Sequence, residues 1–393
     1  MRLSERLQVC LMAASVLCAA PARAGDIHFR GLLDLVAAER SEAYDLNTFT
    51  RGDNPFDAYG VRLFADGTVN DRLQVFTQLV LRDATGPYVD GAYLMFTPRP
   101  ATDLHVLAGK IPSAIGTWAP HTYSNKNPLV STPLMYQYHT SLLWFEVVPS
   151  ADVLLAAAGT GQEGVDYFGF PEGGGMTLVD DSYWDVGVTV TGSQRPFEYA
   201  AGVTAGTPGW GSTSKDENSG KSVLGRVGAS PLPWLRFGVS GAYGPYLIQE
   251  LNSLMPPGKS VNDYRQKLGM ADLEVESGHF EVRSEGVRGA WETPTVGELS
   301  FTSGYVELKY SLSFGAFVAG RWDALRFGDI TDSAGASRSW DADVTRWEVG
   351  AGYRFNRDVV AKVVRQEDRI DASEEYPSAR RSSLVAAQLS VGF

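Results

Sequence analysis

Period-two alternation governs this chain. From residue 27 to the last residue, runs of about ten residues put large apolar side chains on one face and polar or small ones on the other. Examples are Val61-Arg62-Leu63-Phe64-Ala65-Asp66, Leu73-Gln74-Val75-Phe76-Thr77-Gln78-Leu79 and Leu235-Arg236-Phe237-Gly238-Val239-Ser240. Successive side chains of a strand point to opposite faces, so each run reads as a strand with one apolar and one polar surface. Strands of soluble sandwiches are usually shorter, about five or six residues. Runs of this length suit a transmembrane antiparallel β-barrel, whose apolar face meets lipid while its polar face meets a wet lumen.

The spacing of the runs predicts about 18 strands, near 27–39, 57–69, 72–83, 88–98, 102–111, 140–149, 151–160, 182–192, 196–206, 221–230, 234–244, 264–276, 279–290, 297–310, 312–326, 342–355, 358–369 and 382–393. Sixteen strands is the alternative. Short connections such as Asn70-Asp71, Pro149-Ser150 and Asn356-Arg357 alternate with long ones at 161–181, 207–220, 245–263 and 327–341. Outer-membrane barrels pair short periplasmic turns with longer external loops in this way.

Composition narrows the field further. A soluble chain of 393 residues would be read as two or three domains; here 25–393 reads as a single barrel domain. The formal net charge of −12 argues against a nucleic-acid partner, which needs a basic face. Beyond the first 25 residues no apolar stretch is long enough for a membrane-spanning helix. The first 24 residues have the form of a cleaved signal peptide: basic Arg2 and Arg6, an apolar run Leu7 to Ala20, and small Ala22 and Ala24 before a cut at Gly25. Both cysteines, Cys10 and Cys18, fall inside it, so the mature chain has no disulfide, thiolate ligand or thiol nucleophile. Its 369 residues carry 31 basic and 45 acidic side chains, a balance of −14.

The last residues, Leu384 to Phe393, place Val385, Ala387, Leu389, Val391 and Phe393 on one face up to the terminal carboxylate. This resembles the C-terminal signal of Gram-negative outer-membrane proteins. That resemblance implies the barrel-assembly machinery as a partner through Phe393, and the cell outer membrane, with its lipid, as the location. The longest connection, 112–139, carries Trp118, Tyr123, Leu129, Leu134, Met135, Tyr136 and Tyr138, groups that favour burial. A loop of this kind is expected to fold inward and narrow the pore. A strand ending Gly109-Lys110-Ile111-Pro112, followed by this aromatic loop, resembles the porin superfamily that includes the phosphate-selective O/P type. The resemblance implies a water-filled channel with a loop-built constriction, in a superfamily where trimers are common. No lysine or arginine ladder of the phosphate-selective type can be aligned strand for strand.

The alternation assigns ten arginines and six acids to the lumen. Arg62, Arg82, Arg236, Arg283, Arg321 and Arg346 are the candidate pore-lining cations; Asp34, Glu285, Asp323 and Glu348 are among the acids. Such a lumen either favours anions or consists of paired rows that stiffen the wall. On the inward loop, Lys126, His121, His139 and Tyr123 are the candidate constriction residues, each able to contact a solute or to anchor the loop. Trp184, Trp234, Trp291, Trp322 and Trp340 fit an aromatic girdle. No metal-ligand spacing or nucleophile elbow stands out, so no catalytic residue, metal or cofactor is expected, and no enzyme. The expected function is passive diffusion of small hydrophilic solutes, with an anion preference, through a lumen constricted by loop 112–139. The alternative is an exporter pore for an acidic polysaccharide or similar polymer. Monomer and homo-oligomer both remain open.

Overall fold

The computed structural model describes residues 26–40, 58–81, 87–161, 175–180, 184–211, 218–373 and 379–393. The segment read as a signal peptide lies outside them. The strands are β1 (Ile27–Arg40), β2 (Ala58–Asn70), β3 (Leu73–Leu81), β4 (Tyr88–Phe96), β5 (Leu104–Pro112), β6 (Trp184–Gln194), β7 (Phe197–Thr204), β8 (Ser222–Leu232), β9 (Leu235–Pro245), β10 (Arg265–Ser277), β11 (Phe280–Thr293), β12 (Gly297–Ser311), β13 (Ala316–Phe327), a small hairpin β14 (Asp329–Thr331) and β15 (Ser337–Ser339), then β16 (Val344–Arg354), β17 (Val359–Ile370) and β18 (Arg380–Gly392). All but β14 and β15 form one closed antiparallel barrel of 16 strands. Each strand pairs with its sequence neighbours, and β1 also pairs with β18, from Leu32 opposite Gly392 to Arg40 opposite Leu384. Closure leaves no unpaired sheet edge, a condition for crossing lipid with strands.

The alternation acts as the sequence implies. In β8, Leu224 and Arg226 are buried toward the lumen, whereas Val223 and Val227 are 52% and 57% exposed on the outer wall. Val239, Leu308, Val318 and Val363 continue that outward apolar surface around the barrel. Side chains of this kind lose stability in water at about 25 cal/mol per Å² and are at rest against lipid. At the end that carries the short turns, the backbones of Phe393 and Gly31 exchange two hydrogen bonds, of 2.7 and 3.0 Å. The Phe393 ring lies where a Cβ on residue 31 would stand, so glycine is required there for the terminal ring to seat.

Two expected strands are not strands, which corrects 18 to 16. Segment 140–149 is irregular, and 151–160 begins with helix α2 (Ala151–Ala156). Ser150 caps that helix by accepting from the Val153 amide at 3.4 Å. The adjacent pair Leu154-Leu155 is buried while Val153 is exposed, a helical and not an alternating pattern. The connection from β5 to β6 is therefore longer than 112–139: it extends from 113 to 183, with a one-turn helix α1 (Leu134–Gln137) and α2 inside it. The girdle also needs correcting. Trp234 and Trp322 face outward, but Trp291 and Trp340 are fully buried inside, their rings 6.0 Å apart and edge to face.

Candidate functional site

The β5–β6 connection enters the barrel and is tied to much of its wall. Near its start, the Gly116 amide donates to Ser240 on β9 at 3.1 Å. Glu285 on β11 accepts from the Thr117 hydroxyl at 3.1 Å, the Tyr136 hydroxyl at 2.7 Å and the Tyr305 hydroxyl at 3.0 Å. Glu348 on β16 accepts from the amides of Val130 and Ser131 at 3.1 and 3.2 Å and from the Ser131 hydroxyl. Asp323 on β13 accepts from the Leu134 amide at 3.0 Å. Lys362 on β17 donates to the carbonyls of Ser124, Asn127 and Leu129 at 2.8, 2.9 and 2.7 Å. These wall groups hold loop backbone that has no ladder of its own, which meets the requirement that buried polar groups be paired.

The second half of the connection is clasped from outside. Asp341, between β15 and β16, accepts from the amides of Ser141 and Gly159 at 2.8 and 2.7 Å and from the Tyr138 hydroxyl at 3.0 Å. Ile115, Trp118, Leu134, Tyr138, Leu154 and Met176 then pack against Leu268, Val287, Phe301, Phe327 and Trp340 as one continuous apolar core. Leu129 and Val130 also pack against Val36, Ala38, Val364, Leu384 and Ala386, so the segment fills the lumen against β8–β18 and part of β1, and open space is found beside β1–β4. A cavity of about 630 Å³ lies against β1–β4, lined by Arg30, Phe64, Asp66, Phe76, Gln78, Tyr93, Tyr123, Lys126, Trp184 and Arg357. A second cavity of about 280 Å³ shares Tyr93, Tyr123 and Trp184 with it and continues past Pro112, Ala119 and Asp180.

The candidate residues divide between these two regions. Tyr123 and Lys126 line the larger cavity. Tyr123 donates to Gln78 at 2.7 Å, and burial pushes its phenol up to about 12. His139 is buried, its Nδ1 2.7 Å from the Gly175 carbonyl. The arginines sit beside carboxylates: Arg62 with Asp34 at 3.6 Å, Arg236 with Glu198 at 2.8 Å, Arg283 with Glu307 at 2.7 Å and Arg346 with Asp368 at 2.6 Å. Arg321 meets Glu307, Asp323 and Glu348 within 3.3 Å. Arg82 lies outside the described residues. Lys362, not among the residues singled out above, shares a face of β17 with Gln366 and Asp368, so parity along that strand is the signal that points it to the lumen. Trp184, assigned to the girdle, instead turns its ring over Gly91.

His121 makes the segment acid-sensitive. Burial, reinforced by the charge of Arg283, pushes its imidazole down to about 3, so it is neutral at pH 7. A folded pKa below the free value of about 6.5 supports the fold fully above that pH, and the support is lost as pH falls toward 3. Asp341 has the opposite sign: burial raises its carboxyl to about 6, so its contribution is complete below the free value and is lost as pH rises through 6. His121→Gln is therefore expected to resist acid better than the parent between pH 6 and 4. The urea midpoint, followed by tryptophan fluorescence, reads this directly, since Trp118 lies 5.7 Å from the His121 ring. Equal acid sensitivity in both proteins would refute the assignment.

No protein-family model and no curated protein sequence matches the chain. Solved structures do match in shape. An anion-selective porin from Comamonas acidovorans aligns over 94% of this chain and 99% of its own, with a TM-score of 0.57 at 9% identity. The fold is that of the outer-membrane porins. The outer membrane channel DcaP of Acinetobacter baumannii aligns over 95% of this chain and 99% of its own, at TM-score 0.55 and 9% identity. A loop-deletion mutant of OmpT, an outer membrane protein of Vibrio cholerae, covers 94% and 99%, at TM-score 0.55 and 15% identity. At such identities the likeness concerns the porin-type barrel and not a phosphate-selective subgroup.

Proposed function

We propose that this protein is an outer-membrane channel for passive diffusion of small hydrophilic solutes, with a preference for anions. The observation that supports it most is the pair of cavities left along β1–β6 beside the inward segment. The outward apolar wall suits residence in the lipid of the outer membrane. Most lumen arginines have a carboxylate beside them and serve the wall and the loop. Lys126 has no ion-pair partner among the described residues, lines the larger cavity, and is the cation we assign to the solute. Arg30 at the cavity mouth is 66% exposed beside Asp66. A cation in a narrow low-dielectric passage attracts anions. One of the similar structures is named an anion-selective porin.

The remaining assignments follow from this reading. Tyr123 and Lys126 face the solute, His121 and His139 anchor the segment, and Arg62, Arg236, Arg283, Arg321 and Arg346 hold the wall. Residues 1–24 are a leader cut before Gly25, and Phe393 is the mark read by the barrel-assembly machinery. A homo-oligomer is in keeping with a similar structure described as a trimer form.

The test is single-channel recording of the refolded protein across a KCl gradient. Open steps with a chloride-favouring zero-current potential are expected, and Lys126→Glu should shift that potential toward potassium. A potassium-favouring parent would overturn the anion preference. A folded barrel with no steps would overturn the channel.

A further inference from the structure

We propose that the passage selects ring-shaped organic anions at an aromatic junction made by Tyr93, Tyr123 and Trp184. The inference rests on the channel reading and names the solute class that the same passage favours. Both cavities are lined by these three rings, which mark where the two adjoin.

The rings belong to two aromatic series on one cavity. Phe76 stacks on Tyr93 with centroids 5.0 Å apart and planes 14° apart, and Tyr93 lies 6.2 Å from Trp184. Phe64 meets the Tyr123 ring edge-on at 5.6 Å. Their positions are built and not incidental. Gly91 leaves the space that Trp184 occupies: a Cβ there would stand 2.5 Å from the indole ring. Tyr123 is held by its bond to Gln78 and by the Arg62 guanidinium 5.8 Å from its ring. A passage serving only hydrated inorganic ions gains nothing from flat apolar faces at its junction. A solute with a flat or C–H-rich ring gains by covering them, about two- to tenfold in affinity per ring.

Charge sets the sign of the solute. Asp66 balances Arg30 at the mouth. Lys126 lines the same cavity from the inward segment with no ion-pair partner among the described residues, while Arg357, Asp358 and the terminal carboxylate of Phe393 are the other charged groups on it and Asp180 lines the second cavity. The favoured solute therefore carries a ring for Tyr93, Tyr123 and Trp184 and a carboxylate for Lys126. Benzoate represents the planar version and glucuronate the puckered, hydroxylated one; acetate has the charge without a ring.

The experiment measures interruption of the open-channel KCl current by each acid at pH 7. At least one ring acid is expected to reach half-block at about fivefold lower concentration than acetate, and the one that does so identifies the ring type. Trp184→Ala should erase that ratio while KCl steps persist. Gly91→Ala, which displaces the indole without removing it, should reduce the ratio and serves if the first variant fails to assemble. Lys126→Gln should weaken block by all three acids and leave the ratio intact. Equal block by acetate, benzoate and glucuronate in the parent overturns the proposal but not the channel, as does an unchanged ratio in both Trp184→Ala and Gly91→Ala. Absence of KCl steps overturns both.

Discussion

Arg321→Ala is expected to lower the stability of the folded barrel by about 3–5 kcal/mol, the usual cost of removing one member of a buried ionic cluster. The Arg321 side chain is completely buried, with Glu307 at 3.3 Å, Asp323 at 3.2 Å and Glu348 at 2.9 Å. It also donates to the Ser131 carbonyl at 3.0 Å and packs 5.7 Å from the Trp118 ring. Alanine would leave three carboxylates facing one another without their shared cation. Arg283 still reaches Glu307 at 2.7 Å, so that acid keeps a partner. Asp323 and Glu348 bear the cost, and they are the groups that hold the amides of Leu134, Val130 and Ser131. The urea midpoint should drop and the inward segment should become accessible to protease before the barrel unfolds. A loss below about 1 kcal/mol would show that the cluster is not a structural tie.

Lys362→Met should act on the tip of the same segment and on the current. The Lys362 ammonium collects the carbonyls of Ser124, Asn127 and Leu129 in a buried site. Methionine has a similar length and no donor, so three buried acceptors lose their partner at a cost on the order of 3 kcal/mol. The tip carries Lys126, whose position against the 630 Å³ cavity depends on it. The expected electrical result is noisier open-channel current and a weaker chloride preference, together with a lower urea midpoint. Unchanged current noise with lowered stability would separate the tip from the passage and count against Lys126 as the solute cation.

These two side chains show how the sequence can be right about location and silent about partners. Arg321 was legible as a lumen residue because β13 alternates cleanly from Phe317 to Leu325. Its partners come from β12, from β16 and from a segment about 190 residues earlier in the chain. No local pattern encodes such a meeting. The same limit explains the miscounted strands. Leu142, Leu154 and Leu155 are as apolar as a wall strand requires, but their buried surface meets the inner core and not lipid. Local alternation cannot distinguish those two apolar surroundings. Trp291 and Trp340 were misplaced for the same reason, since an amphipathic ring suits a membrane interface and a buried aromatic contact equally well.

What the sequence determined by itself is the barrel: alternation of period two gives most wall residues their face, and the run ending in Phe393 marks the last strand. Both depend on neighbours along one strand, so they are written locally. What only the tertiary structure decided is which side of the lumen stays open. That choice arises where Glu285, Asp323, Glu348 and Lys362 take hold of the inward segment, and where Gly91 yields its space to Trp184. These contacts join residues far apart in sequence, and their energies depend on mutual burial and geometry that exist only once the barrel has closed.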